Sequence, residues 1–206
     1  KIPDYLNAQN YANIPVEISA TDLFELVKET EDAARSVKGI TNSEGAEASQ
    51  SCTTISLANG IDFAQEYSVT SFGVSVSVIA GKDTEMEREY EYSAARYLED
   101  LMPPSKIGET AGEKAVARLN PRKVKSQQVP IVLDPRLSGG LPRLLAGLIS
   151  GASIARGTSV LKDSLLEQIF APNVQICDDP HRPRGLGSRP FDGEGLTGKA
   201  IKIIDN

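Results

Sequence analysis

Reactive side chains are scarce in this 206-residue chain: it has one histidine, His181, and two cysteines, Cys52 and Cys177. The stretch richest in usable groups is Gly185-Leu-Gly-Ser-Arg-Pro-Phe-Asp-Gly-Glu-Gly195. Its glycines permit tight turns and close approach of another backbone. Gly187, Ser188, Arg189, Asp192 and Glu194 are its candidate binding residues, for a peptide or a protein partner. Arg189 can pair with a carboxylate, and Asp192 and Glu194 can accept hydrogen bonds or orient a partner loop. The same groups can instead serve the architecture of the loop itself. No Gly-Lys-Ser/Thr follows, so the stretch is not a phosphate-cradling loop. Asp178 and Asp179 beside His181 suggest a metal cluster on paper, but aspartates in such a loop more simply accept from their own backbone N–H groups. Ser188 has no histidine placed to activate it. Cys52 and Cys177 lack spacing partners of metal type and are expected to be small buried side chains in strands. This inventory contains no catalytic residue and no metal-ligand set.

Three stretches taken together carry a resemblance: GEKAVARLNPRKV from Gly112 to Val124, GLISGASIARGTSVL from Gly147 to Leu161, and GLGSRPFDGEG from Gly185 to Gly195. They resemble the PmbA/TldD family, bacterial proteins described as modulators of DNA gyrase or as subunits of a zinc metallopeptidase, and within it the PmbA (TldE) branch. The likeness is weak before about Ile40 and strong from Gly112 onward. Family members are longer, so the resemblance implies a central fragment. In the TldD branch, the helix after a Gly-Gly turn carries His-Glu-x-x-x-His, two zinc-ligating imidazoles with a general-base carboxylate between them. The matching positions here are Arg143, Leu144 and Leu148. A guanidinium stays protonated and leucine has no donor atom, so neither ligates zinc. The resemblance thus implies a non-catalytic subunit with no cofactor of its own. Zinc is then expected in a TldD-like catalytic partner, in a heterodimer or higher oligomer acting on unfolded peptides. Arg143, standing at a former ligand position, becomes a sixth candidate binding residue, for a substrate carboxylate, unless it is simply solvated. An alternative from another class is a regulatory interaction protein acting on DNA gyrase or a toxin–antitoxin system without proteolysis.

The elements that must position these residues read as α+β: an N-terminal helix, an antiparallel sheet, then the start of a second mixed α/β module. After an irregular lead-in over residues 1–19, Thr21 or Asp22 is expected to cap a helix ending at Gly39, with Leu23, Leu26, Val27, Ala34 and Val37 inward. Four strands are expected, Ser51–Ala58, Ile61–Thr70, Ser71–Ala80 and Met86–Tyr92, with Asn59-Gly60 as a hairpin signal. Tyr90 and Tyr92 could serve sheet packing or a peptide platform. Helices are expected over Ala94–Leu101 and Gly108–Leu119. The polar, basic stretch Asn120–Gln128 divides a module over residues 1–120, the family's central domain, from one over 121–206, the first part of its C-terminal domain. Beyond it come a buried strand Val129–Leu133, a turn at Ser138-Gly139-Gly140, and a helix from about Leu141. The apolar stripe of that helix is Leu141, Leu144, Leu145, Leu148 and Ile149, expected to be an exposed patch if the chain is one half of an obligate pair. A further helix capped at Thr158 or Ser159 and stopped at Ala171-Pro172 follows, then strands Val174–Cys177 and Ala200–Ile204.

The formal net charge is −6. Duplex-binding proteins draw most of their affinity from phosphate neutralisation. The two basic clusters, Arg118 to Lys125 and Arg182-Pro-Arg184, lack interleaved aromatics, and tryptophan is absent. Direct nucleic-acid binding is therefore not expected. No apolar run approaches the roughly 20 residues that span a bilayer. Two thiols fit a reducing compartment and no signal peptide is visible, so a cytoplasmic location is expected.

Overall fold

Alternation of apolar and small polar residues dominates the centre of the chain, and it builds a three-stranded antiparallel sheet in the order β1-β2-β3. The structure is a computed structural model that describes residues 18–60 and 63–205. Most of the expected lead-in and the start of the expected strand at Ile61 lie outside the described residues. The strands are β1 (Ile40–Ala58), β2 (Ala64–Ala80) and β3 (Glu87–Ala95). The two stretches expected as separate strands on either side of Ser71 are one, because the period-2 pattern runs through Thr70-Ser71 without a turn residue. β1 begins well before Ser51, and the register shift at Ser43/Gly45, where Gly45 has φ +111°, hides its first half from a simple alternation reading. At 19 residues β1 is about 60 Å long. The β1–β2 hairpin closes on the rung Ala58–Ala64 next to Asn59-Gly60, and the Asn59 N–H donates to the Phe63 carbonyl at 2.9 Å.

Two helices cover one face of this sheet, α1 (Ala20–Ser36) and α2 (Pro104–Ala117). The cap of α1 is Ser19, not Thr21 or Asp22. Ser19 accepts from the Asp22 N–H while the Asp22 carboxylate accepts from the Ser19 N–H, a reciprocal capping box. α2 starts earlier than Gly108 because Pro104 occupies the first turn, where a missing N–H is harmless. Ala94–Leu101 is not a helix. β3 claims Ala94 and Ala95, and only a single 3-10 turn forms at Leu98–Asp100. The core lies between sheet and helices: Val74, Val76, Val78 and Ala80 of β2 meet Ala34 of α1 and Ile107, Ala111 and Ala115 of α2. Across the rim of this layer, Lys114 pairs with the buried Glu91, and Arg118 reaches Glu87 at 3.4 Å and Glu89 at 3.2 Å.

The chain divides into two compact units. One takes the described residues through Lys123 together with Asp179–Lys199, and the other takes Val124–Asp178 and 200–205. The second unit holds α3 (Pro135–Ser138), α4 (Gly140–Leu148), α5 (Gly151–Ala155), and the antiparallel pair β4 (Ile176–Asp178) and β5 (Ile201–Ile204). The expected strand Val129–Leu133 is exposed irregular chain, with Ile131 81% and Val132 96% accessible, because no strand pairs with it among the described residues. The expected helix after Ser159 is a series of turns. Leu166 has φ +67°, and Leu165 and Leu166 are exposed. Most helical stability comes from packing an apolar face, and this stripe has none to pack on among the described residues. The cysteines are exposed and free, not buried. Cys52 lies beyond the rung Ala48–Val74 at which the buried cluster ends, on the edge strand, and Cys177 sits in the two-stranded ladder.

Candidate functional site

Residues 179–199 form no helix or strand, and their shape comes from local turns and a few ties to the sheet unit. Asp179 Oδ1 accepts from the His181 N–H at 2.9 Å, so this aspartate serves its own loop as the simpler sequence reading had it. Ser188 is buried, and its Oγ donates to the Arg182 carbonyl at 2.7 Å, which fixes it as a brace across the turn Arg182–Ser188. Next to it Pro190 is fully buried and Phe191 nearly so. The Phe191 ring meets Phe63 and Tyr67 edge-on, with centroids 5.2 and 5.1 Å away. Such T-shaped contacts are the preferred aromatic geometry. Asp192 then closes the tip. Its Oδ1 accepts from the N–H groups of Glu194 and Leu196 at 2.9 Å each, and its own N–H donates to the Leu196 carbonyl. The Leu196 and then the Glu194 N–H hold the Asp192 carboxyl below the usual range. Gly195 completes the turn at φ +84°, where a side chain would be strained.

Of the five loop candidates, two therefore face inward: Ser188 and Asp192 satisfy loop backbone. Gly187, Arg189 and Glu194 are exposed and stand on the outer surface of the same loop. Arg189 is positioned through its backbone N–H, which donates to the Pro180 carbonyl at 2.9 Å, leaving its guanidinium outward. The sixth candidate, Arg143, belongs to the other unit, on the first turn of α4, and is exposed. Around it the stripe expected from sequence is open: Leu141 and Leu144 are 53% and 60% accessible, and only Leu145 is buried.

Sequence reasoning missed the residues that hold the loop. Arg184 donates to both carboxylate oxygens of Asp100 at 2.8 and 2.9 Å, reaches Glu99 at 3.3 Å, and lies 3.8 Å over the Tyr97 ring. The Asp100 carboxylate raises its already high pKa. Arg96, at the end of β3, is 8% accessible and donates to three backbone carbonyls: Thr70 at 3.3 Å, Gly185 at 3.3 Å, and Leu186. Burial lowers its pKa, with nearby Tyr67 opposing. These partners are up to 90 residues apart in sequence, and no local spacing signals them.

Could the residues present hold the zinc that the resemblance raises? Arg143, Leu144 and Leu148 supply no donor, and among the described residues there is no group of three His, Cys, Asp or Glu able to hold a metal ion. The described residues do not fit that group.

Fold and site together describe an α+β protein that presents a braced loop of exposed charge and hydrogen-bonding groups, with no metal-donor cluster among the described residues. Residues 13–119 match the family described as PmbA/TldA metallopeptidase central domain, and residues 126–206 match the PmbA/TldA metallopeptidase C-terminal domain. The chain belongs to the PmbA/TldD metallopeptidase family. It is 34% identical over 191 residues to metalloprotease PmbA of Escherichia coli O157:H7, covering 92% of this chain and 42% of that protein. A PmbA homolog from Haemophilus influenzae is 32% identical with the same coverage. Similar solved structures include a candidate modulator of DNA gyrase from Bacteroides thetaiotaomicron, with TM-score 0.88 at 23% identity, covering 97% of this chain and 46% of that one. TldE from Thermococcus kodakarensis has TM-score 0.76 at 20% identity, covering 95% and 46%. At these identities the structural likeness shows the fold. The chain spans less than half the length of these relatives.

Proposed function

We propose that this chain is part of the non-catalytic subunit of a two-protein zinc metallopeptidase, which pairs with a TldD-like catalytic subunit and helps present unfolded peptides to it. The observation that carries this reading is the pairing of a metallopeptidase-family scaffold with Arg143, Leu144 and Leu148 at the positions where the resemblance calls for ligands and a base. Metal-assisted peptide hydrolysis needs a Lewis acid and an activated water. In this reading the partner provides both, and this chain contributes surface: Gly187, Arg189 and Glu194 on the outer face of the loop, and Arg143 on α4 as a cation for a carboxylate. The open leucines of α4 are consistent with an apolar area for a partner. A cytoplasmic location belongs to the same proposal. Among the described residues no helix is long and apolar enough to cross a membrane.

The test is cleavage of an unstructured fluorogenic peptide by the full-length protein, alone and mixed with a TldD-like protein from the same genome, with zinc supplied. Activity only in the mixture is expected. Zinc-dependent cleavage by this protein alone would refute the reading.

A further inference from the structure

We infer that Arg96 is the positioning residue of the Gly185–Gly195 loop, setting where the exposed Gly187 and Arg189 stand. The inference rests on the reading that this loop meets a peptide or partner, and it names a residue outside the loop on which that role depends.

Arg96 is a buried cation without a counter-ion among the described residues. A buried guanidinium ordinarily faces a carboxylate, since an unpaired buried charge is costly. No carboxylate among the described residues pairs with Arg96. Its charge is met by carbonyl dipoles from two directions. Nη1 donates to Thr70 on β2, beyond Phe72, which is the last β2 residue that β3 pairs, while Nε and Nη2 donate to Gly185 and Leu186 of the loop. The Arg96 backbone is itself anchored, because its carbonyl accepts from the buried Thr70 Oγ1 at 2.7 Å. One planar fork thus joins a strand edge to a loop with no regular structure of its own. The bonds internal to that loop run over short spans, such as Gly185 N–H to Arg182 and Ser188 N–H to Gly185. They fix its local shape, and shape alone does not locate it.

The remaining ties are of other kinds. Arg184 is nearly half exposed, and exposed ion pairs contribute little because water screens them. Phe191 anchors the far side, beyond Arg189. Arg96 holds the near side through the carbonyls of Gly185 and Leu186, and Gly187 is the next residue. Lysine cannot replace this arrangement, because a single ammonium does not offer a planar fork to three separate oxygens.

The experiment compares full-length wild type with Arg96→Lys, Arg96→Ala and Arg184→Ala. Hydrogen exchange is followed at the amides of Gly185, Ser188 and Arg189, and assembly with a TldD-like subunit is followed by kcat and KM on an unstructured fluorogenic peptide. Arg96→Ala should raise exchange at these amides about tenfold or more, with Arg96→Lys intermediate and Arg184→Ala nearly unchanged. Core amides of β2 should stay protected. In the assembled enzyme KM should rise in the same order, with kcat held. Unchanged loop exchange in both Arg96 variants overturns the inference, as does an increase spread evenly through the sheet unit, which would make Arg96 a general stability residue. Arg96→Lys keeps the charge and guards against outright unfolding of Arg96→Ala. Faster loop exchange with KM and assembly untouched would uphold Arg96 as the loop's anchor and overturn the proposed role of the loop.

Discussion

Gly108 offers a sharp test of how α1 and α2 are held together. It lies in α2, and a Cβ there would sit 2.2 Å from the Thr30 carbonyl oxygen, 2.7 Å from the Ala34 nitrogen and 2.8 Å from the Ala33 Cβ. Two of these atoms are backbone of α1, so no rotamer change relieves the overlap. In isolation, Gly→Ala in a helix stabilises by about 1 kcal/mol. Here the helices must separate by about 1 Å to restore ordinary contact distance. Overpacking of this kind costs about 1–3 kcal/mol, and fixed backbone on the receiving side places it at the upper end. The difference is a net destabilisation of about 2 kcal/mol. With an m-value near 2 kcal/mol/M, Gly108→Ala should lower the urea midpoint by about 1 M. The control is Gly147→Ala in α4, where nothing lies within 4 Å of the added Cβ. There the propensity gain stands alone, and the expected effect is about 0.5–1 kcal/mol of stabilisation. A Gly108→Ala protein as stable as wild type would refute the claim that glycine is required by close approach of the two helices.

Two further expectations follow from charge. The Asp192 carboxyl is held below its ordinary value by the Leu196 and Glu194 N–H groups, so its contribution to the loop is complete above about pH 4 and is lost as pH falls through the lower folded value. In an NMR titration the Glu194 and Leu196 amide shifts should move with a midpoint below about 3.9, and Asp192→Asn should abolish that movement; a midpoint at or above this value would remove the hydrogen bonds from the account. Lys114→Met should destabilise by about 3 kcal/mol, because it strands Glu91, whose side chain is 6% accessible; the low end of the range applies since Lys114 itself is 26% accessible. Adding Glu91→Gln should recover most of that loss in a double-mutant cycle, and a loss well under 1 kcal/mol for Lys114→Met alone would show the pair to be dispensable.

The legible parts of the chain were those in which local pattern and packing agree. The alternation around Phe72 to Val78 announced β2, and the apolar stripe of α1 announced a helix whose inner residue, Ala34, is in the core. The Asn59-Gly60 signal marked the hairpin, although the residues after it lie outside the described set. Pattern and structure part where a good local pattern has nothing to pack on among the described residues. Leu161 to Ile169 has a helical stripe and Val129 to Leu133 a strand composition, yet both are irregular because propensity without burial does not hold an element. Ser19, Thr21 and Asp22 are all good capping types, and only the reciprocal bond between Ser19 and Asp22 decides for Ser19. For the loop, the sequence showed which side chains were present but not which way they faced: Ser188 and Asp192 turned inward to satisfy backbone that Gly187, Arg189 and Glu194 leave alone. Arg96 carried no signal whatever, because its partners are set by the fold across 89 and 90 residues.

That separation has a consequence for biosynthesis. Arg96 leaves the ribosome ahead of its loop partners by a stretch that takes about 5–20 s to translate. By then β1, β2, β3, α1 and α2 have all emerged, and the sheet and its two covering helices can form. The guanidinium, however, cannot bury until Gly185 and Leu186 arrive. A nascent chain paused before that point presents a folded sheet in which the Nε and Nη2 donors of Arg96, at the end of β3, still lack their loop carbonyls. The docking of residues 179–199 is thus the last step in completing the sheet unit, and it can begin only when the second unit's β4 has been made.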